Sequence, residues 1–159
     1  MAHLWSPWRM DYITNRSDSN ECPFCLALNE TGNDQSLIVH RGNKSFVMLN
    51  RYPYTSGHLM VLPFIHQESL ADLDLETRGE MMEFIQQACG VLGEIYQPEG
   101  FNVGLNLGSA AGAGLPKHLH WHIVPRWEGD TNYMTTVGGV RVIPEALEDT
   151  LEKVRTNWP

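Results

Sequence analysis

The sequence predicts an α+β fold: an antiparallel sheet with one long helix and a second helix at the C-terminal end. Three observations predict it. Short apolar runs separated by turn residues fill residues 36–62. A single stretch, residues 74–96, carries apolar side chains at spacings of three and four. The order of elements is β-β-β-α-β-β-α, with hairpins and one long helix, which points to antiparallel pairing.

The elements follow in order. Residues 1–36 form a turn-rich N-terminal segment holding Trp5, Trp8 and the pair Cys22/Cys25. Residues 36–40 and 45–49 read as strands around Arg41-Gly42-Asn43-Lys44, whose Gly-Asn step suits a hairpin. Residues 52–57 read as a loop and 58–62 as a strand. Met82, Ile85, Cys89, Leu92 and Tyr96 are expected on the buried face of the long helix, although Gly90 and Gly93 weaken its last turns. Residues 101–107 read as a strand, 108–116 as a Gly/Ala loop, and 117–124 as a strand ending at Pro125. Pro144 suits the first turn of the last helix, with Leu147, Leu151, Val154 and Trp158 on its apolar face.

Composition limits the function. The chain has 159 residues, 42% of them hydrophobic, which suits one domain spanning 1–159 with a packed core. A net charge of -8 argues against a nucleic acid polymer as partner, because such binders carry a basic face. It argues nothing against a small nucleotide. Three cysteines make a disulfide framework a poor fit and a reducing cytoplasm a better one. No apolar run approaches the roughly 20 residues of a membrane span, and residues 1–10 lack a signal-peptide core. A soluble, cytoplasmic protein is expected.

The densest chemistry is His118-Leu119-His120-Trp121-His122. In a strand, alternate side chains share a face, so the three imidazoles line up roughly 6.6 Å apart. A half-exposed sheet with surface histidines is one reading. A zinc site is a second. Nucleophilic catalysis is a third, because a neutral imidazole attacks readily at cellular pH and its neighbours can orient it or protonate a leaving group. The preceding loop, Asn106-Leu107-Gly108-Ser109-Ala110-Ala111-Gly112-Ala113-Gly114, lets a phosphate approach the backbone closely, and so favours phosphate chemistry.

The stretch His118–Val124 resembles the His-φ-His-φ-His-φ-φ signature of the histidine triad (HIT) superfamily. The resemblance continues through residues 50–63, and through Leu4-Trp5-Ser6-Pro7-Trp8-Arg9, Asn102-Val103-Gly104-Leu105-Asn106 and Pro125-Arg126-Trp127-Glu128-Gly129-Asp130. These resemble the bacterial branch that includes diadenosine tetraphosphate (Ap4A) phosphorylases. The resemblance implies a HIT-like sheet. It implies that His120 is the nucleophile forming a nucleotidyl-imidazole, that His122 assists the leaving group, and that His118 supports the site or binds metal. It also implies that Asn50 contacts ribose, that Phe24 lines the purine pocket, and that Asn106, Gly112, Ala113 and Gly114 contact phosphate. Read without it, Asn50 is a turn residue and Phe24 is plain core.

Many hydrolases of the family carry Gln or Ser between the glycine loop and the triad. Here the stretch is Gly112-Ala113-Gly114-Leu115-Pro116, which resembles the phosphorylase branch, where inorganic phosphate resolves the intermediate. The expected reaction is Ap4A plus phosphate giving ATP and ADP. The alternatives are a HIT hydrolase of dinucleoside polyphosphates or nucleoside phosphoramidates, a non-catalytic nucleotide-binding module, and a zinc hydrolase using all three histidines.

Cys22-Pro23-Phe24-Cys25 has the spacing that lets two thiolates reach one zinc. The resemblance implies that His66 and His118 complete a structural zinc site, which the chemistry itself does not require. The bland reading is two free thiols in a turn and a surface His66. Cys89 is expected to be an inert buried thiol. The resemblance also implies a homodimer, with which exposed Trp121 and Trp127 are compatible.

Overall fold

The computed structural model describes residues 21–29, 36–131 and 144–159. The predicted motif at Leu4–Arg9, with Trp5 and Trp8, lies outside them. The described elements are α1 (Pro23–Asn29), β1 (Ile38–Arg41), β2 (Ser45–Leu49), β3 (Leu59–Pro63), α2 (Leu75–Tyr96), β4 (Gly100–Leu105), β5 (Trp121–Arg126) and α3 (Leu147–Asn157). The strands form one sheet in the order β1-β2-β3-β5-β4, with every neighbouring pair antiparallel. The predicted α+β class holds. Among the described residues, no helix is long and apolar enough to cross a membrane.

The long helix begins where its sequence provides a cap. The Asp74 side chain accepts from the Thr77 N–H at 2.6 Å, satisfying one of the first free donors. The helix runs through Gly90 and Gly93 and ends at Gln97, whose N–H donates to the Gly93 carbonyl. Its buried face is Met81, Phe84, Ile85, Ala88, Val91 and Leu92. Met82, predicted on that face, is 56% exposed, and Cys89 is only partly buried. The buried stripe keeps the predicted Ile85 and Leu92 and takes Met81 and Ala88 in place of Met82 and Cys89. It packs with Val47, Leu49, Leu59, Val61 and Ile123 on one face of the sheet, joined by Leu151 and Val154 of α3.

The hairpin between β1 and β2 is tied to α2 by Glu80. Its carboxylate accepts from the Asn43 N–H (2.8 Å), the Lys44 N–H (2.9 Å) and the Ser45 hydroxyl (2.5 Å). Gly42 makes this approach possible: a Cβ there would lie 2.6 Å from Phe84 and 2.9 Å from Glu80. Burial opposes the Glu80 charge, but these hydrogen bonds outweigh it and hold the carboxyl below its ordinary pKa. Glu80→Ala is expected to cost about 1–3 kcal/mol, read as a shifted denaturation midpoint with an unchanged slope.

Three further elements differ from expectation. The predicted strand 117–124 is displaced: β5 starts at Trp121 and runs through Pro125. The Leu119 N–H is taken by the Gln67 carbonyl (2.7 Å), so no sheet pairing begins there. Pro125 lies beyond the last β3 partner of β5, and its carbonyl accepts from the Thr55 hydroxyl (3.0 Å). Second, the segment read as turns contains α1. Third, Trp121 and Trp127 are half-buried rather than exposed, and Trp121 packs against the core.

The opposite face of the sheet carries a second apolar cluster of Phe24, Ile38, Phe46, Met48, Met60 and Leu62. Phe24 comes from α1, which Arg41 holds in place through the Leu28 and Ala27 carbonyls (3.1 and 3.3 Å). The histidines lie beside this cluster.

Candidate active site

His118 and His120 precede β5 in an irregular lead-in outside the sheet, with His118 at a bend whose N–H donates to the Leu115 carbonyl (3.4 Å), and His122 lies within β5. The alternation survives the missing pairing. Leu119 and Ile123 enter the α2 core, while His118 and His120 turn toward Phe24, with ring centroids 5.5 and 5.3 Å away. His120 and His122 follow at 5.0 Å, edge to face. The result is a row: Phe24, His120, His122.

Hydrogen bonds assign the protons. The His120 Nδ1 lies 2.8 Å from the His118 carbonyl oxygen, which can only accept. Nδ1 therefore carries the proton, and the neutral ring keeps its lone pair on Nε2. His122 has the opposite tautomer, set by a residue the sequence reading did not single out. His58 is fully buried; its Nδ1 accepts from the Tyr54 N–H (3.1 Å), so its Nε2–H donates to the His122 Nδ1 (2.9 Å). His122 is left with a proton on Nε2. The row thus presents one lone pair, on His120, and one donor, on His122.

His58 was discoverable as the one polar side chain at the start of an entirely buried apolar run. Gly57, at φ +76°, allows the chain to turn tightly against Leu92 and Tyr96 just before it. His58→Ala is expected to lower kcat on the order of 10²-fold with KM little changed, because His122 loses the donor that fixes its tautomer. Ring ¹⁵N shifts of His122 should report the mixed tautomers.

Burial keeps the row neutral. It pushes His122 down to about 4, with a smaller contribution from a charged His120. It also lowers His120, and His118 to about 4.

The other predicted residues divide. Asn50 follows β2 as a turn residue, its Oδ1 accepting from the Tyr52 N–H (3.0 Å), and its amide nitrogen lies 3.5 Å from the His58 Nδ1. Phe24 is buried in the second cluster and also touches two histidines. Ala113 and Gly114 lie in the loop before the triad, where the Gly112 N–H is engaged by the Ser109 carbonyl (3.0 Å). Asn106 lines a cavity of about 260 Å³ that His122 also borders, together with Tyr54, Asn102, Gly104, Val124 and Arg126.

Cys22, Cys25, His66 and His118 converge. Their ligand atoms all lie within 4.8 Å of one another. The Nδ1 of His118 is 3.4 Å from the Cys22 Sγ and 3.6 Å from the Cys25 Sγ, and the His66 Nδ1 is 3.3 Å from the Cys25 Sγ. A tetrahedral zinc with ordinary bond lengths sets S···N at about 3.6 Å, so the spacing fits. His118 donates its Nε2–H to the Pro63 carbonyl (3.0 Å), leaving Nδ1 as the ligand atom. Burial first, then the neighbouring Cys22, pushes the Cys25 thiol up to about 11; a cation would reverse this. The nitrogen of His118 that faces these cysteines is not shared with His120 or His122, so three histidines on one metal is not the arrangement seen.

This geometry agrees with what the chain resembles. It is 44% identical to the AP-4-A phosphorylase of Mycobacterium tuberculosis over 167 aligned positions, covering 99% of this chain and 85% of that protein. Among solved structures it matches a zinc-bound histidine triad family protein from Mycobacterium smegmatis, with a TM-score of 0.69 and 26% identity over 87% of this chain and 93% of that one. It also matches a hypothetical histidine triad nucleotide-binding protein from Sulfolobus tokodaii, with a TM-score of 0.68 and 27% identity over 86% and 91%. The HIT domain profile matches residues 31–129, and the chain belongs to the HIT family.

Proposed function

We propose that this protein is a nucleotidyl transferase that splits Ap4A with inorganic phosphate into ATP and ADP. The observation that carries the reading is the proton placement on His120. Its Nδ1–H is held by the His118 carbonyl, so its lone pair on Nε2 faces the site beside the His122 donor. The 44% identity to a phosphorylase supports the acceptor.

The chemistry balances in two displacements. The His120 Nε2 attacks the α-phosphorus of Ap4A. The bond from that phosphorus to the bridging oxygen breaks, its electron pair leaves with ATP, and the His122 Nε2–H hydrogen-bonds the departing oxygen. The adenylyl-imidazole carries its positive charge against the His118 carbonyl. An oxygen of inorganic phosphate then attacks the same phosphorus, the P–N bond breaks, and its pair returns to Nε2. The product is ADP. Phe24 lines the base pocket, Asn50 holds the ribose, and Asn106 with Gly112, Ala113 and Gly114 contacts the phosphates.

We further infer that Cys22, Cys25, His66 and His118 hold zinc. When bound, it supplies a structural crosslink between α1 and the strand lead-in. A cytoplasmic homodimer is proposed as well. A solution mass of twice the 18.0 kDa chain would support the dimer, and a mass of one chain would refute it.

Products of Ap4A separated with and without phosphate test the reading. ATP and ADP formed only with phosphate support it; AMP and ATP formed without phosphate point to hydrolysis instead. A pH profile gives a second check. Because burial depresses His120, its lone pair persists on acidification, and the acid limb of kcat/KM should fall below the ordinary histidine value of about 6.5.

A further inference from the structure

Cys22 and Cys25 are neighbours that solvent can reach. Their ligand atoms, with those of His66 and His118, all lie within 4.8 Å of one another. Both cysteines are free thiols and only partly buried. On one side of the cluster His66 is exposed, while His118 closes the other side and is buried. A small oxidant therefore meets the sulfurs without any movement of the sheet.

Zinc and a disulfide exclude each other at this position. A tetrahedral site with Zn–S bonds of about 2.3 Å holds its two sulfurs roughly 3.8 Å apart, both as thiolates. A disulfide brings them to about 2.05 Å and removes both negative charges, so neither sulfur remains a good ligand. The spacing favours closure. Cys22 and Cys25 flank the first turn of α1, where the Leu26 N–H donates to the Cys22 carbonyl (3.0 Å), and side chains three apart on such a turn are neighbours. Cys22 precedes the helix, so the adjustment falls on the chain before α1, while Phe24 keeps its place in the second apolar cluster.

The consequence reaches the nucleophile through two residues. His118 faces the cysteines with Nδ1, and its carbonyl holds the His120 Nδ1–H at 2.8 Å. Phe24 stands between the two cysteines in the chain, and its ring lies 5.3 Å from that of His120. Once the sulfurs bond to each other, α1 is no longer crosslinked to His66 and His118. Phe24 and the His118 carbonyl then lose their common anchor.

We propose that Cys22 and Cys25 form a reversible oxidation site for hydrogen peroxide, and that the disulfide lowers turnover by uncoupling α1 from the histidines; this rests on the cluster holding zinc. In the balanced step, one thiolate attacks a peroxide oxygen, the O–O bond breaks, and hydroxide leaves. The second thiolate displaces hydroxide from the resulting sulfenic acid as the S–S bond forms. The sulfurs together lose two electrons, the peroxide gains them, and both hydroxides take protons from solvent and leave as water.

The test treats zinc-loaded, full-length protein with hydrogen peroxide in small excess. Intact mass should fall by about 2 Da, with the new bond mapped between Cys22 and Cys25. Zinc should appear in a chromogenic chelator in step with that change, and Ap4A turnover should decline with it. A dithiol reductant plus zinc should restore all of these. Cys89→Ser should respond as wild type does. A bond or oxide at Cys89 that accounts for the loss, sulfinic acids at Cys22 and Cys25 with no disulfide, or turnover unchanged by the mapped disulfide overturns the proposal. Protein purified without zinc refutes the metal reading alone, while the mapped disulfide and its effect on turnover still decide this one.

Discussion

His120→Asn is expected to lower Ap4A turnover by at least about 10⁴-fold, with the melting temperature and nucleotide binding preserved. Asparagine can keep a hydrogen bond to the His118 carbonyl through its amide NH₂, so the local structure is retained. It cannot supply a lone pair comparable to imidazole Nε2, so the covalent path is closed. Losses of that size accompany removal of a nucleophile elsewhere. Single-turnover kinetics with Ap4A in excess phosphate, beside equilibrium binding of a non-cleavable analogue, separate the two effects. Residual turnover within tenfold of wild type would sink the assignment.

Loss of the metal cluster is expected to have the second-largest effect, on stability rather than on the reaction. A ligand at about a thousand times its dissociation constant stabilises the native state by about 4 kcal/mol. For a chain of this size that corresponds to about 8–16 °C in melting temperature. Cys25→Ser, or treatment with a strong chelator, should therefore lower the melting temperature by that amount and abolish zinc content measured on the purified protein. Activity should decline as α1 detaches, because Phe24 sits between the two cysteines and packs against both His118 and His120. Wild-type protein without zinc, together with an unshifted Cys25→Ser melt, would contradict the crosslink. Instant loss of activity at full folding would instead implicate the metal in chemistry.

What the sequence made legible follows from how local each signal is. The long helix and the strand Ser45–Leu49 were readable because their periodicity and turn chemistry lie within a few neighbouring residues. The three histidines and the Cys-x-x-Cys pair were readable for the same reason. The start of β5 was not, because it depends on Gln67 capturing the Leu119 N–H from a distant loop. The phase error that placed Met82 inward came from two adjacent methionines, between which only the shape of the sheet chooses. α1 was hidden because seven residues opening with proline carry no helical period. His58 was legible only as one polar residue heading an apolar run; its role depends on its partner, His122, which β3–β5 pairing brings 2.9 Å from it. Convergence of His66 and His118 on the cysteines came from family resemblance, since no local pattern joins positions 25, 66 and 118.

The central claim is that His120 carries the nucleotidyl group and that phosphate removes it. Mass analysis of the protein quenched after mixing with Ap4A in phosphate-free buffer tests this most directly. One adenylyl group is expected on the peptide containing His120, with its conversion to ADP when phosphate is added. An adenylyl group on another residue, or rapid release of AMP with no adduct and no response to phosphate, would contradict it.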